Sequence, residues 1–333
     1  MIISKTPFRM SFFGGGTDIP DHFKKYGGEV ISTSIDKYCY VSIRKLPRFF
    51  NYNNQINYYK IERTKEVEDI EHPLVRESLK YLDVKDIILN YDADLPARSG
   101  LGTSSSFAVG LLNSLYNLKG VNVDKRKLAD DAILIERDIC KEDGGWQDQI
   151  AASFGGFNKI TFCKDGKYVV KPLKLSNKYV KKLNKNMLLF FTGFTRMSYE
   201  VQKDNKHKSY DQIEVLNEMR SVVRKAESIL IKEEDISQFG RLLDYNWKLK
   251  KMSGNKISNN VIDYSYEVAK YNGAIGGKLL GAGGGGFMLI FADPKCHDNI
   301  KKELKYFTEV PFKFENSGSE IIFNSNKDIR KEK

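Results

Sequence analysis

Histidine and cysteine are scarce in this chain, with four of each in 333 residues. Cys39, Cys140, Cys163 and Cys296 lie far apart and form no Cys-x-x-Cys pair. No zinc or disulfide framework is legible, and this cysteine usage fits a reducing cytoplasm. His22, His72, His207 and His297 form no His-Glu-x-x-His string, and Gly-x-Ser-x-Gly is missing as well. The simplest signatures of metal-assisted and serine-dependent hydrolysis are therefore absent. No apolar run reaches 18 residues, so no membrane-spanning helix is expected. The segment from Met1 to Pro7 has no signal-peptide apolar region. The P-loop string Gly-x4-Gly-Lys-Ser/Thr does not occur either.

Positive charge and glycine are present in quantity. Lysine and arginine number 54 against 43 acidic residues, a net charge of +11. The lysines are spread along the chain, and no nucleic-acid-reading motif accompanies them. A solvated basic surface serving anionic small molecules accounts for the charge, and neither nucleic acid nor membrane is expected as a partner.

The stretch Leu95-Pro-Ala-Arg98-Ser99-Gly100-Leu101-Gly102-Thr103-Ser104-Ser105-Ser106-Phe107 organises the chain. The apolar run Ile87 to Leu89 before it reads as a strand. Phe107, Ala108, Leu111, Leu112 and Leu115 after it share one helical face. Glycine allows a tight turn, Ser and Thr favour helix starts, and the first amides of a helix have no internal partner. A phosphate cradle and a merely well-capped helix remain equally open from this stretch alone.

Two further glycine-rich segments bear on that choice, Pro7 to Asp18 with Gly14-Gly15-Gly16-Thr17-Asp18, and Gly276 to Phe287 with Gly283-Gly284. In order and spacing the three segments resemble the signature motifs of the GHMP kinase superfamily, over nearly the whole chain. The Gly-Gly-Gly-Thr-Asp form of the first is similar to that of bacterial D-glycero-D-manno-heptose 7-phosphate kinases and their sugar-kinase relatives.

The resemblance implies an α+β, two-domain GHMP kinase fold. Its N-terminal domain would be ribosomal-protein-S5-like and its C-terminal domain ferredoxin-like. The polar stretch Lys178 to Asn186 offers the boundary, giving 1–185 as the nucleotide-binding domain and 186–333 as the second. The reaction implied is phosphoryl transfer from ATP, with Mg²⁺, to the anomeric hydroxyl of a small-molecule sugar phosphate. The product would feed nucleotide-activated heptose and surface polysaccharide synthesis. Another sugar 1-kinase, such as an L-fucose kinase, is the alternative, and a non-catalytic binding protein on the same fold a more distant one. A cytoplasmic location is expected, and a homodimer is possible.

Residue by residue, the loop Arg98, Ser99, Gly100, Leu101, Gly102, Thr103, Ser104, Ser105 and Ser106 would hold the nucleotide phosphates. Ser104 and Glu136 would hold Mg²⁺. Asp148, in Gly144-Gly-Trp-Gln-Asp-Gln149, would orient or deprotonate the attacking hydroxyl. Arg9 would sit beside it and stabilise charge in flight. Gly14, Gly15, Gly16, Thr17, Asp18, Gly283 and Gly284 would line the sugar site. Arg196, after the first strand of the second domain, is the candidate to hold the distal phosphate, with a surface salt bridge the equal alternative. The residues alone say less. Glu136 stands one step past Ile135 at the edge of an apolar stripe, where an exposed surface charge is the ordinary reading. Gly281 to Gly286 satisfies Gly-x-Gly-x-x-Gly, but the apolar run Phe287 to Phe291 follows directly. That order suits a hairpin into a strand, whereas a dinucleotide loop opens a helix.

Overall fold

A computed structural model describes residues 1–193, 210–254 and 257–325. β1 (Ile2–Phe13) runs into the triple-glycine turn and a short helix, α1 (Pro20–Tyr26). Then comes one long strand, β2 (Gly28–Lys45), where two strands were expected from 29–34 and 37–45. Both halves pair with β1, which runs antiparallel to β2 from Ile2 opposite Ile43 to Phe13 opposite Ile31. A register shift after Pro7 absorbs the polar Asp36-Lys37 break. β3 (Asn54–Asn57), β4 (Ile61–Thr64), α2 (Pro73–Tyr81) and β5 (Ile87–Ala93) follow. Next are α3 (Thr103–Leu118), α4 (Lys125–Ile133), a π-helical turn (Leu134–Ile139) and α5 (Gln147–Phe154). β6 (Phe157–Phe162) and β7 (Tyr168–Pro172) form the expected hairpin.

The stretch taken as a polar boundary is a helix, α6 (Asn177–Lys185), capped by Ser176. Its lysines face solvent while Tyr179 and Leu183 are buried, so it is packed on one side. β8 (Met187–Phe191), α7 (Tyr210–Ile231), α8 (Ile236–Met252) and α9 (Asn260–Tyr271) lead to the hairpin β9 (Ala274–Leu279) and β10 (Phe287–Ala292). α10 (His297–Glu303), β11 (Thr308–Glu309), β12 (Phe314–Glu315) and β13 (Glu320–Asn324) complete the described chain.

Two sheets result, as an α+β chain requires. The second is antiparallel in the order β11-β8-β10-β9. The first has the path β13-β1-β2-β5-β3-β4, with β6 and β12 also on β2. The last two strands therefore return to the first sheet, β13 on β1 and β12 on β2, and do not complete the second sandwich as expected. Phe314 shows why. Its ring packs edge-on against Phe12 and Phe157, a partner surface only the first sheet offers. One apolar core joins the halves. Phe12, Phe13 and Ile31 from the first sheet meet Val223 of α7, Phe239 of α8, and Leu289 and Phe291 of the second sheet. Leu216, Val223 and Ile262 are buried as expected, but Leu242 is only partly so, and Leu243 takes the inner place on α8.

Candidate active site

The loop before α3 is shaped by glycines in left-handed conformations, Gly100 at φ 91° and Gly102 at φ 73°. Gly102 is the residue before the helix, and no side chain caps the helix start. The first-turn amides are therefore left facing outward with the positive end of the helix dipole. A Cβ on Gly100 would run into the Leu280 carbonyl, one on Gly281 into Gly100, and one on Gly286 into the Ser99 carbonyl. Glycine is required here because two backbones touch. The third motif is a wall packed against the phosphate loop, and Phe287 N–H donates to Ser99 O at 3.2 Å. As expected, this glycine run turns into a strand.

The loop side chains are mostly used internally. Thr103 Oγ1 accepts from Arg98 N–H at 3.0 Å and closes the loop on itself. Ser106 donates to Pro7 O at 2.9 Å and ties the helix to β1. Leu101 is fully buried, and its carbonyl accepts from Arg9 N–H at 3.0 Å. What the loop offers a ligand is backbone, the exposed Arg98 and Ser104, and the buried Ser99 Oγ, which has no hydrogen-bond partner among the described residues.

Arg9 and Asp148, 139 residues apart, form a two-pronged ion pair beside this loop. Arg9 Nε donates to Oδ1 at 2.7 Å and Nη2 to Oδ2 at 2.9 Å. The remaining arm donates to Gly100 O at 2.8 Å. A Cβ on Gly102 would lie 3.2 Å from Arg9 and 3.5 Å from the Asp148 carboxylate. The carboxylate thus stands at the mouth of the uncapped helix. Asp148 itself rides in the first turn of α5, where the dipole favours its charge.

Glu136 is fully buried, against the ordinary reading of its position. The π turn is the reason. Cys140 N–H donates to Ile135 O, five residues back, so the wider turn buries Ile135 and Glu136 together. Ser104 Oγ donates to Glu136 Oε1 at 3.0 Å, and Gln149 Nε2 to Oε2 at 2.6 Å. Burial pushes the Glu136 carboxyl above its ordinary range, opposed by Arg137 and by hydrogen bonds. Among the described residues no cation forms an ion pair with it. An acidic oxygen and a hydroxyl at the phosphate end of a helix fit a magnesium ion, which completes its shell with water and phosphate oxygens.

The first motif is split in its duties. Thr17 is fully buried, and its hydroxyl donates to Gly14 O at 2.8 Å and to Glu29 O at 3.0 Å while accepting from Glu29 N–H at 3.1 Å. With its hydroxyl so occupied, Thr17 holds the turn and does not line a sugar site, which corrects the expectation. Gly14 is likewise closed off, since a Cβ would strike the Glu29 carbonyl. Gly15 and Gly16 face outward, with Gln147 Nε2 3.6 Å and Lys250 Nζ 3.8 Å from where a Cβ would stand on each. Asp18 is 2% exposed and accepts from Gly16 N–H at 2.9 Å and Gln147 N–H at 3.3 Å. Burial first, and Asp148 second, raise its carboxyl above the ordinary range. It fastens the first motif to the segment bearing Asp148. Gly283 and Gly284 pack on Ile257, Gly284 N–H donating to Ile257 O at 3.1 Å. Arg196 lies outside the described residues.

Lys278 was missed. It is 5% exposed, and its ammonium donates to Ser11 O at 3.0 Å and Phe12 O at 3.1 Å. The available signal was a lysine set between Gly277 and Leu279 in a strand otherwise free of charge. Gln149, which orients Glu136, carried no signal of its own.

Known proteins resemble this chain along most of its length. The sequence profiles described as GHMP kinases N terminal domain and GHMP kinases C terminal match residues 71–156 and 228–308. A D-glycero-alpha-D-manno-heptose 7-phosphate kinase of Campylobacter jejuni is 31% identical over 316 residues, covering 91% of this chain and 93% of that protein. The chain belongs to the GHMP kinases. A galactokinase of Pyrococcus furiosus is 26% identical over 334 residues, covering 88% of this GHMP kinase and 89% of its own length. The crystal structure of a D-glycero-D-manno-heptose 1-phosphate kinase from Bacteroides thetaiotaomicron superposes with TM-score 0.79 at 25% identity, covering 97% and 99% of the two chains. A putative sugar kinase from Campylobacter jejuni follows with TM-score 0.76 at 28% identity. The family uses ATP, and the fold class is that of the GHMP kinases, as the three motifs implied. Among the described residues no helix is long and apolar enough to cross a membrane.

Proposed function

We propose that this GHMP kinase, an ATP-dependent sugar kinase, phosphorylates the anomeric hydroxyl of D-glycero-D-manno-heptose 7-phosphate, giving the 1,7-bisphosphate. The Arg9–Asp148 pair at the mouth of the uncapped α3 helix carries the chemical part of this reading. The relative from Campylobacter jejuni that bears that substrate in its name supports the acceptor. The acceptor oxygen bonds to the γ-phosphorus as the bond from that phosphorus to the β,γ-bridging oxygen breaks. ADP leaves, and the hydroxyl proton passes to Asp148. Such transfer needs alignment and charge neutralisation more than covalent chemistry. The loop amides from Gly100 to Ser105 hold nucleotide phosphates, the Ser106 N–H being taken by Gly102 O, and Arg9 fixes both oxygens of Asp148 so that one lone-pair direction faces the acceptor. Ser104 and Glu136 would hold magnesium, which would supply neutralisation of phosphate charge. Asp18 keeps the first motif and the Asp148 segment in register, and Gly15 and Gly16 leave space for the sugar. In this reading residues 1–185, together with the returning strands β12 and β13, form the nucleotide-binding domain, and the segment from 186 to β11 the second.

The test is kcat/KM over heptose 7-phosphate, heptose 1-phosphate, free heptose, L-fucose and galactose, each with ATP. Heptose 7-phosphate is expected to lead free heptose by about ten- to a hundredfold, the worth of one charge-assisted phosphate contact. Turnover of an unphosphorylated sugar as fast or faster overturns the acceptor assignment and leaves the family membership standing.

A further inference from the structure

The glycines of the first motif are not all there for one reason. Gly14 stands at φ 80° and Gly16 at φ 103°, and a Cβ on Gly14 would lie 2.0 Å from the Glu29 carbonyl oxygen. Gly15 is under neither constraint. Its φ is not left-handed, and a Cβ on it would make only ordinary contacts, 3.6 Å to Gln147 Nε2 and 3.7 Å to Ser11 Oγ. The fold by itself accepts a side chain here, so the missing one leaves room for a ligand. Both groups beside the gap are polar and buried, Ser11 at 5% and Gln147 at 8% exposed. Ser11 Oγ and Gln147 Oε1 have no hydrogen-bond partner among the described residues. Their backbones are fixed. Lys278 donates to Ser11 O at 3.0 Å, and Gln147 N–H donates to Asp18 Oδ2 at 3.3 Å. Buried hydrogen-bonding groups held in place without partners are costly in the free protein.

The place of the gap narrows the ligand. Ser11 follows Arg9 by two residues on β1 and so shares its face, and Gln147 immediately precedes Asp148 in the first turn of α5. Each member of the Arg9–Asp148 pair therefore has a neighbour at Gly15. An uncharged amide and a hydroxyl suit a hydroxyl group, which can donate to one oxygen and accept from the other. They offer a phosphate no charge. In a cyclic aldose the anomeric carbon has one carbon neighbour, C2, because its other ring neighbour is oxygen. We propose that Ser11 and Gln147, beside Gly15, bind the C2 hydroxyl of the acceptor, next to the hydroxyl that is phosphorylated. The C2 hydroxyl donates to Gln147 Oε1 and accepts from the Ser11 hydroxyl. A sugar without an oxygen there leaves both groups unmatched and is rejected. The inference rests on the anomeric-hydroxyl reading of the reaction and assigns the residues that read the neighbouring hydroxyl.

The experiment measures kcat/KM of full-length wild type, Gln147→Leu, Ser11→Ala and Gly15→Ala with heptose 7-phosphate and with its 2-deoxy analogue. Wild type is expected to prefer the 2-hydroxyl acceptor by about ten- to a hundredfold. Gln147→Leu and Ser11→Ala should each lose most of that preference, by slowing on heptose 7-phosphate and hardly at all on the deoxy sugar. Gly15→Ala, which fills the gap, should lose activity on both acceptors. The KM for ATP is expected to move little in any of them. The thermal midpoint of ligand-free Gln147→Leu and Ser11→Ala should hold or rise, because each removes a buried polar atom without a partner, and that of Gly15→Ala should hold. Equal losses on both acceptors for Gln147→Leu and Ser11→Ala, or lowered midpoints, give these residues to the fold and overturn the inference. A wild type that prefers the 2-hydroxyl sugar, with both variants keeping that preference, overturns this inference alone, as does a wild type indifferent to the hydroxyl. A wild type that does not phosphorylate heptose 7-phosphate at the anomeric oxygen overturns the acceptor assignment, and this inference with it.

Discussion

The two sides of the active site are built from different material. The nucleotide side is backbone. Between Arg98 and Ser106 the hydroxyls of Thr103 and Ser106 are spent inside the protein, and close approach is secured by removing Cβ atoms at Gly100, Gly281 and Gly286. The acceptor side is side chain. On the reading proposed above, Arg9, Asp18 and Asp148 come to it from β1, the turn after it and α5, and Asp148 shifts the charge of Asp18. A backbone cradle has no proton to lose and tolerates side-chain change, but a single added methyl can close it. A cluster of charges accepts isosteric change sterically, and each such change alters its neighbours electrostatically.

The largest effect should come from cutting the acceptor side at its centre. Asp148→Asn keeps the shape and removes the proton acceptor, so kcat should fall by about 10²- to 10⁴-fold. ATP affinity should hardly change, because the phosphate cradle is made elsewhere. Rapid-mixing turnover with parallel nucleotide titration reads both quantities, and a near wild-type kcat would remove Asp148 from the mechanism.

Ser104→Ala and Glu136→Gln probe the one place where the nucleotide side depends on side chains. Each removes an oxygen or a charge from a hard-cation site. The magnesium concentration for half-maximal rate should rise in both, by about tenfold or more for Glu136→Gln if the lost contact is worth a charged hydrogen bond. Midpoints equal to wild type would move the metal elsewhere and make the nucleotide side wholly backbone.

The smallest expected effect concerns stability against pH. The folded-state Lys278 ammonium is depressed to about 7 from 10.5 by burial, Lys250 and Arg9. Between those values the unfolded chain keeps this proton and the folded chain sheds it. The unfolded state then binds more protons, so this group makes stability rise with pH across that window. Below about pH 7 both states are protonated and the full burial cost is felt. Wild type minus Lys278→Met should therefore show a thermal-midpoint difference that grows in favour of wild type from about pH 6.5 to about pH 9.5. A difference flat across that range would mean the lysine titrates outside it.

Glycine spacing, Ser/Thr clustering and the apolar run after each motif made the glycine turn and helix start at Thr103 and the hairpin of the third motif legible in the chain itself, while the α+β class came from the family resemblance. The first two are local facts. A glycine turn and a helix start are specified by neighbours in sequence, and a strand after a glycine run is announced by its own composition. The resemblance over three motifs added the roles of Asp148, Arg9, Ser104 and Glu136. It could not tell that Thr17 spends its hydroxyl on the turn, that Gly14 is closed by Glu29, or that Gly283 faces Ile257.

Those outcomes, and the burial of Glu136 and Lys278 and the return of β12 and β13 to the first sheet, were decided by tertiary structure. Each depends on atoms far apart in sequence. The burial cost of a charge is set by everything packed around it, and an edge strand joins whichever sheet offers it an apolar partner. By itself the sequence determined which backbone turns could meet a phosphate. Only the folded chain decided which charges are buried there and what surrounds them, because burial is a property of space and not of order along the chain.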